Sequence, residues 1–191
     1  INLGADFESP NIDSLVSNGT GENFGMELTI EKFYSKGYYY LLTASVFESK
    51  YKASDNVIRN TAFNGNFVIN ALAGKEFKIK NRHTLAIDFK VVYAGGKRYV
   101  PFDIDKSVLY NRPIYFTNQA YMPQYNPYFR IDLKTSYRYN AKHVTHEFSV
   151  DIQNLTRHNN VFQQSYDINT RSIRTDYQLK FFFVPQYRLT F

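Results

Sequence analysis

Hydrophobic and polar residues alternate along most of this chain, and most plainly at its end. In the stretch Thr175-Asp-Tyr-Gln-Leu-Lys-Phe-Phe-Phe-Val-Pro-Gln-Tyr-Arg-Leu-Thr-Phe191, one row reads Tyr177, Leu179, Phe181, Phe183, Pro185, Tyr187, Leu189, Phe191. The other row, Gln178, Lys180, Phe182, Val184, Gln186, Arg188, Thr190, is mostly polar. A period of two over so long a run predicts a β-strand with one apolar and one wetted face. Strands of soluble sheets usually end after about five or six residues, and a free aromatic edge in water invites aggregation. A strand of a closed membrane barrel meets lipid with its apolar face and a neighbouring strand with its edge.

The pattern recurs upstream. Phe24, Met26, Leu28 and Ile30 alternate with Gly25, Glu27, Thr29 and Glu31, and Ser35-Lys-Gly37 predicts a tight turn. Tyr38, Tyr40, Leu42, Ala44 and Val46 form the next apolar row, followed by a polar connection from about Ser49 to Asn64. Phe67, Ile69, Ala71 and Ala73 mark a strand ending near Phe77, and Lys80-Asn-Arg82 turns into Leu85, Ile87, Phe89, Val91 and Tyr93. A connection from about Gly95 to Pro127 then leads to Phe129, Ile131, Leu133, Thr135 and Tyr137. Asn140-Ala-Lys142 turns the chain into Phe148, Val150 and Ile152, and Leu155 to Asn169 is expected to carry that strand onward until Asn169-Thr-Arg171 reverses it. No segment shows a helical period.

Connections thus alternate between short and long, as in outer-membrane barrels with short periplasmic turns and long extracellular loops. Charges segregate as well. The apolar rows of the two clearest strands hold none, while their partner rows hold Asp88, Lys90, Arg130, Asp132 and Lys134, with Glu147 and Asp151 further on. These seven are the candidate lumen-facing residues, because a lipid-facing Lys or Arg at mid-bilayer costs roughly 2–4 kcal/mol. Tyr38, Tyr40, Tyr137, Tyr139 and Tyr187 gather at the short-turn ends, where an interfacial girdle belongs.

Composition bears on this reading in two ways. The 191 residues include 17 Tyr and 17 Phe but no Trp or Cys, so no disulfide framework or thiolate metal site is available. The mean hydropathy of -0.44 looks soluble, but alternation averages the hydropathy of a membrane strand away. The net charge of +6 comes from Lys and Arg dispersed among Asp and Glu. No basic run is interleaved with aromatics, so nucleic acid is not an expected partner.

Several stretches resemble the C-terminal end of the barrel of TonB-dependent outer-membrane receptors of the Bacteroidetes type. They are Gly21-Glu-Asn-Phe-Gly-Met-Glu-Leu28, Ser45-Val-Phe-Glu-Ser-Lys-Tyr51, Arg59-Asn-Thr-Ala-Phe-Asn64, Gly74-Lys-Glu-Phe77, Tyr93-Ala-Gly-Gly-Lys-Arg-Tyr99-Val-Pro101, Asp151-Ile-Gln-Asn-Leu155 and Pro185-Gln-Tyr-Arg-Leu-Thr-Phe191. The resemblance implies an all-β, antiparallel, up-and-down transmembrane barrel, this chain supplying about eight strands of about 22. It further implies import of a scarce ligand such as a siderophore or glycan, driven by the TonB complex through an N-terminal plug that nothing here matches. Outer-membrane lipid, the barrel-assembly machinery and a surface lipoprotein are the other implied partners. The ending Tyr187, Leu189, Phe191 resembles the signal that the assembly machinery reads.

Enzymatic chemistry finds little support in the residues. His143 and His146 lie three apart, on opposite faces of a strand, and His146 falls on the opposite row from Ser149 and Asp151, so neither a metal pair nor a hydrolytic triad is expected. Asp103-Ile-Asp105 is read as a solvated loop pair rather than a Ca²⁺ site, Asn18-Gly-Thr20 as a chance glycosylation triplet, and Gly95-Gly96 as a loop entry. No catalytic residue, metal or cofactor is expected.

The long connection is the better functional candidate, since loops of that length usually carry function. It holds Arg98, Tyr99, Phe102, Tyr110, Arg112, Tyr115, Phe116, Tyr121 and Tyr125, side chains suited to stacking on and hydrogen-bonding a ligand. Packing of these aromatics against neighbouring loops is the competing expectation. A small self-contained barrel with a structural or adhesin role is the alternative to a receptor. Ile1 to Phe7 alternates like the end of an ascending strand but is shorter than the roughly 9–11 residues that cross a bilayer. The chain is therefore expected to be a piece of a larger barrel.

Overall fold

The computed structural model describes residues 18–191. The expected strand stub at Ile1 to Phe7 lies outside them. Seven long antiparallel strands form one meandering sheet: β1 (Thr20–Ser35), β2 (Tyr38–Lys52), β4 (Phe67–Lys80), β5 (His83–Ala94), β6 (Tyr128–Asn140), β7 (Thr145–Gln153) and β10 (Phe182–Thr190). The short β3 (Ile58–Asn60) adds to the end of β2, while β8 (Val161–Asp167) and β9 (Ser172–Tyr177) make a separate hairpin. The expected all-β, antiparallel class is borne out. Each of the seven strands has nine or more residues. Among the described residues no helix is long and apolar enough to cross a membrane, which says nothing of strands.

The three short connections all lie at one end of the sheet and the three long ones at the other. Lys36 and Gly37 both take positive φ, 55° and 81°, the two-residue geometry whose twist matches the flanking strands. Register then puts the apolar rows on one common face. Leu28 stands opposite Ala44, Ala44 opposite Ile69 and Ile69 opposite Tyr93. Tyr93 faces Phe129, and near the other edge Tyr137 faces Phe148, which faces Tyr187. Asp88, Lys134 and Asp151 run in one cross-strand row on the other face.

Burial is distributed the reverse of a soluble sheet. On the polar face Asp132, Ser136 and Ser149 are buried, the last only 7% exposed, whereas the adjacent Phe148 on the apolar face is 55% exposed. Phe24, Met26, Leu28, Ile30, Val46, Phe89 and Phe183 are exposed on that face too. The few buried apolar side chains among the described residues, apart from Ala86, are Phe102, Ala120 and Tyr121 in the 95–127 connection.

Three expectations need correction. The 95–127 connection carries a helix, α1 (Ile104–Tyr110), and a 3-10 turn at Thr117–Gln119. At seven residues α1 is too short to show a helical period. The expected continuation of β7 beyond Leu155 fails, because Asn154 turns the chain at φ 49° and β8 pairs with β9 instead. The terminal strand is likewise not continuous. Tyr177 ends β9, and β10 begins at Phe182 opposite Gln153. Between them buried asparagines hold the backbone: Gln178 N donates to Asn160 O at 2.8 Å, and Asn154 Nδ2 to Leu179 O at 3.3 Å.

Gly74 shows how the polar face closes over itself. Tyr39 reaches across it to donate its hydroxyl to Asp88 Oδ1 at 2.7 Å, and a Cβ at residue 74 would meet both the Tyr39 ring and that carboxylate. Phe47 stands opposite Gly25 in the same way, a Cβ there falling 2.7 Å from Phe47 Cβ. Aromatics covering strand glycines is a recurrent way of filling the gap a glycine leaves. Gly74→Val should displace Tyr39, break the bond to Asp88 and lower stability by about 1–3 kcal/mol, read as a lower urea midpoint of the folded form.

Candidate functional site

Two regions carry the candidate residues: the connection between β5 and β6, and the polar face of the sheet. The connection is a folded unit. Its base is laced by Tyr99 N to Pro123 O (3.2 Å), Tyr121 N to Tyr99 O (3.1 Å) and Tyr125 N to Lys97 O (3.0 Å), with isolated bridges Arg98–Gln124 and Phe102–Tyr115. The Gly95-Gly96 entry lies so close to Gly65 and Tyr125 that no side chain would fit.

Arg98 is the staple of this base. Its Nε donates to Asn64 O at 2.8 Å, Nη1 to Met122 O at 2.9 Å and Nη2 to Asn66 Oδ1 at 3.0 Å. One guanidinium thus joins the 53–66 and 95–127 connections, which a fixed fork of donors does well. Asn64 is fully buried and donates Nδ2 to Asn60 Oδ1 at 2.8 Å. Phe102 and Tyr121 are buried, Phe102 tilted against Tyr115 at 4.7 Å and Tyr121 edge-on to Tyr51 at 6.4 Å. Tyr99 and Tyr125 stack in parallel at 4.3 Å, and burial pushes the Tyr121 and Tyr125 phenols up.

The tip of the connection is built by Asp103. Its Oδ1 accepts from Lys106 N at 3.0 Å, capping α1, and its Oδ2 pairs with Lys106 Nζ at 3.0 Å. These contacts, the backbone donor first, hold its carboxyl below the ordinary carboxylate range. The cap therefore acts at full strength above that ordinary range and is lost as pH falls through the lowered value. Asp103-Ile-Asp105 is thus a helix start, with Asp105 in the first turn. Buried Ser107 closes the unit, its Oγ donating to Asp103 O at 2.6 Å and accepting from Ile114 N at 2.9 Å. Tyr110 and Arg112 remain exposed, Tyr115 and Phe116 are each 37% exposed, and Leu109 and Met122 are exposed as well. The candidates therefore separate: Arg98, Phe102, Tyr121 and the Tyr99–Tyr125 stack hold the unit together, while Tyr110, Arg112, Tyr115 and Phe116 face outward.

The structure places the seven candidate lumen residues together on the polar face. Asp88 stands opposite Lys134, Lys134 opposite Asp151, and Lys90 opposite Asp132. Asp132 is also held within the sheet, accepting from Arg130 Nε at 2.6 Å and from Asn154 N at 2.9 Å. Glu147 accepts from Arg138 Nε at 3.2 Å, and Arg138 lies 3.8 Å from Glu76, which takes the Tyr34 hydroxyl at 2.5 Å. An open trough of about 580 Å³ on this face is lined by residues that include Glu27, Thr43, Ser45 and Asn70. Such a surface offers hydrogen bonds and charges of both signs over a wide area, suited to a polar ligand or a polar domain.

His143 lies exposed in the β6–β7 turn. His146 lies on the apolar face with Nδ1 2.9 Å from Tyr187 Oη, away from Ser149 and Asp151. Tyr187, Leu189 and Phe191 are all exposed, the first two on the apolar face. The sequence reading missed the buried asparagines that lock the long connections. Asn160 is the clearest, its amide accepting from Phe129 N and donating to Phe129 O, both at 2.8 Å, in place of a ladder partner. The only available signal was the pair Asn159-Asn160 beside a strand start. Comparison with protein-family models, curated proteins and solved structures finds no match for the chain.

Arg98→Ala should leave Asn64 O and Met122 O without their donor at a cost of about 1–3 kcal/mol. The 97–125 segment should then be cut several-fold faster by a protease while the sheet survives, as read by limited proteolysis followed by mass mapping.

Proposed function

We propose that this chain is part of the barrel wall of an outer-membrane transporter of the TonB-dependent receptor type, with its long connections forming the ligand-facing end. The inverted sheet carries the reading. About a dozen large apolar side chains stand exposed on one face of seven long strands, while polar residues crowd the other. Full burial of such a side chain is worth roughly 1.5–3 kcal/mol. Even at about half that, a dozen left in water forgo roughly 10–20 kcal/mol, as much as the whole net stability of a typical domain. Lipid removes the penalty, and crowding of the polar face is what a sheet curling around a wet lumen would produce.

Three further observations support the reading. All short turns lie at one end and all long connections at the other, the arrangement in which the long ones would lie outside the cell. β1 and β10 each pair on one side only among the described residues, as strands of a larger barrel would when seen without their neighbours. The polar face is rich in charge, fitting a lumen occupied by water and a plug rather than a lumen filled by side chains. In this reading the Arg98-stapled base holds α1 rigid, and Tyr110, Arg112, Tyr115 and Phe116 capture the ligand. The chain performs no chemistry on that ligand. Its partners are outer-membrane lipid, a plug that engages the TonB complex, the assembly machinery that reads Tyr187, Leu189 and Phe191, and a surface lipoprotein.

Phe89→Lys should impair membrane assembly far more than Asp88→Lys, because it sets a charge against lipid, a cost of roughly 2–4 kcal/mol. The check is the heat-modifiable folded fraction in isolated outer membranes, and equal tolerance of both changes refutes the orientation. Replacing Tyr110, Arg112 and Phe116 together by Ala should leave that folded fraction unchanged. It should lower, by tenfold or so, the uptake of whichever nutrient the deleted parent gene no longer imports. Unchanged uptake at equal protein level removes the α1 tip from ligand capture.

A further inference from the structure

The apolar face has a polarity along the strands as well as across the sheet. Among the described residues, its basic side chains from the Met26 row to Leu189 are Lys32, Lys75, Lys80, His83 and His146 with no Asp or Glu among them, Glu48 of this face standing beyond them, opposite Phe24 at the long-connection end. All belong to the end of the sheet that carries the short turns. Lys32 extends to the β1–β2 turn, its Nζ lying 3.8 Å over the Tyr38 ring and donating to Ser35 Oγ at 2.8 Å. Lys75 lies with its Nζ 5.0 Å from the Phe77 ring, toward the β4–β5 turn. The turns themselves, Lys36-Gly37, Asn81-Arg82 and 141–144 with Lys142 and His143, contain basic residues and no acid. The nearby carboxylates Glu31, Glu76 and Glu147 are on the opposite face, the last two paired with Arg138.

An aromatic belt marks the same level. Tyr137, His83, Tyr139, His146 and Tyr187 follow one another across four strands with ring centroids 4.8–6.2 Å apart. His83 Nδ1 lies 2.6 Å from Tyr137 Oη. Amphipathic rings of this kind settle at the depth of lipid head groups, and lysines just inside that depth extend their ammonium groups toward it.

We propose that this rim binds the phosphate head groups of anionic phospholipids in the leaflet at the short-turn end, with Lys75, Lys80 and Arg82 as its principal contacts. The inference rests on the membrane reading and adds to it a preference for lipid charge. Cations at head-group depth with no acid among them attract phosphate, and the belt holds them at that level. The long-connection end does not match it, since Lys50 there pairs with Glu48.

The test uses the intact protein that carries this chain, reconstituted into phosphatidylcholine vesicles with a minor fraction of phosphatidylglycerol. Spin-labelled forms of the two lipids report which is enriched in the motionally restricted shell, and heat-modifiable migration reports insertion. The wild type should prefer phosphatidylglycerol by about two- to fivefold, and the preference should shrink as salt rises. Lys75→Gln, Lys80→Gln and Arg82→Gln combined should bring it close to one with insertion intact, whereas Lys50→Gln with Lys52→Gln should leave it unchanged. Should the triple variant fail to insert, the wild-type preference and its salt dependence decide. Normal insertion with no wild-type preference, or a preference lost only in the Lys50/Lys52 variant, overturns the lipid site alone. A wild type that does not insert into these vesicles overturns the membrane reading together with the site.

Discussion

An extended sheet must satisfy two demands at once: every backbone N–H and C=O needs a partner, and each face needs a medium it can tolerate. In this chain the antiparallel ladder meets the first demand for the long strands between β1 and β10. The second is met in the reverse of the usual way, since the face that a soluble sheet would bury is exposed and the polar face is the crowded one. Everything else depends on that inversion. It explains why the buried apolar side chains are so few, why cross-strand rows of Asp and Lys are tolerated next to buried serines, and why the strands run so long. A bilayer would supply the missing apolar medium, which is why the inversion carries the functional proposal.

With little apolar core available, the long connections are held by polar locks. Arg98 joins two connections with three hydrogen bonds, buried Asn64 holds Asn60 by its side chain, and Asn154 and Asn160 each capture backbone groups that a ladder would otherwise pair. Buried amides of this kind are costly when unpaired and specific when fully paired. The outcome is a rigid base from which the short helix α1 projects. Asp55 illustrates the same economy in the 53–66 connection: the Arg59 guanidinium, then Val57 N–H, hold its carboxyl down to about 2.

The molecule therefore has a different surface at each level along its strands. Exposed aromatics and Arg112 occupy the tip beyond the long connections, apolar side chains surround the middle, and tyrosine, histidine and lysine form the rim at the short turns. A ligand-facing end, a lipid-facing band and a head-group belt follow from that order if the sheet crosses a membrane. The charged face runs the length of the same strands, so the polar and the apolar surface are two sides of one ladder.

Much of this was legible in the amino-acid sequence, and the reason is the period of two. Once Leu85, Ile87, Phe89, Val91 and Tyr93 alternate with Ala86, Asp88 and Lys90, pleating alone separates them, so the class, the turns and the face of each charge needed no tertiary information. The broken ends of strands were another matter. Tyr177, Leu179 and Phe181 continue the alternation without interruption, yet Asn154 and Asn160, about 20 residues away in the chain, take the backbone groups of residues 178 and 179 and end the strand there. The roles of Arg98, Phe102 and Tyr121 were equally hidden, because an aromatic or an arginine suited to a ligand is equally suited to a neighbouring loop. Which of the two it meets depends on the loops that surround it, and those contacts join residues far apart in sequence that only the folded chain brings together.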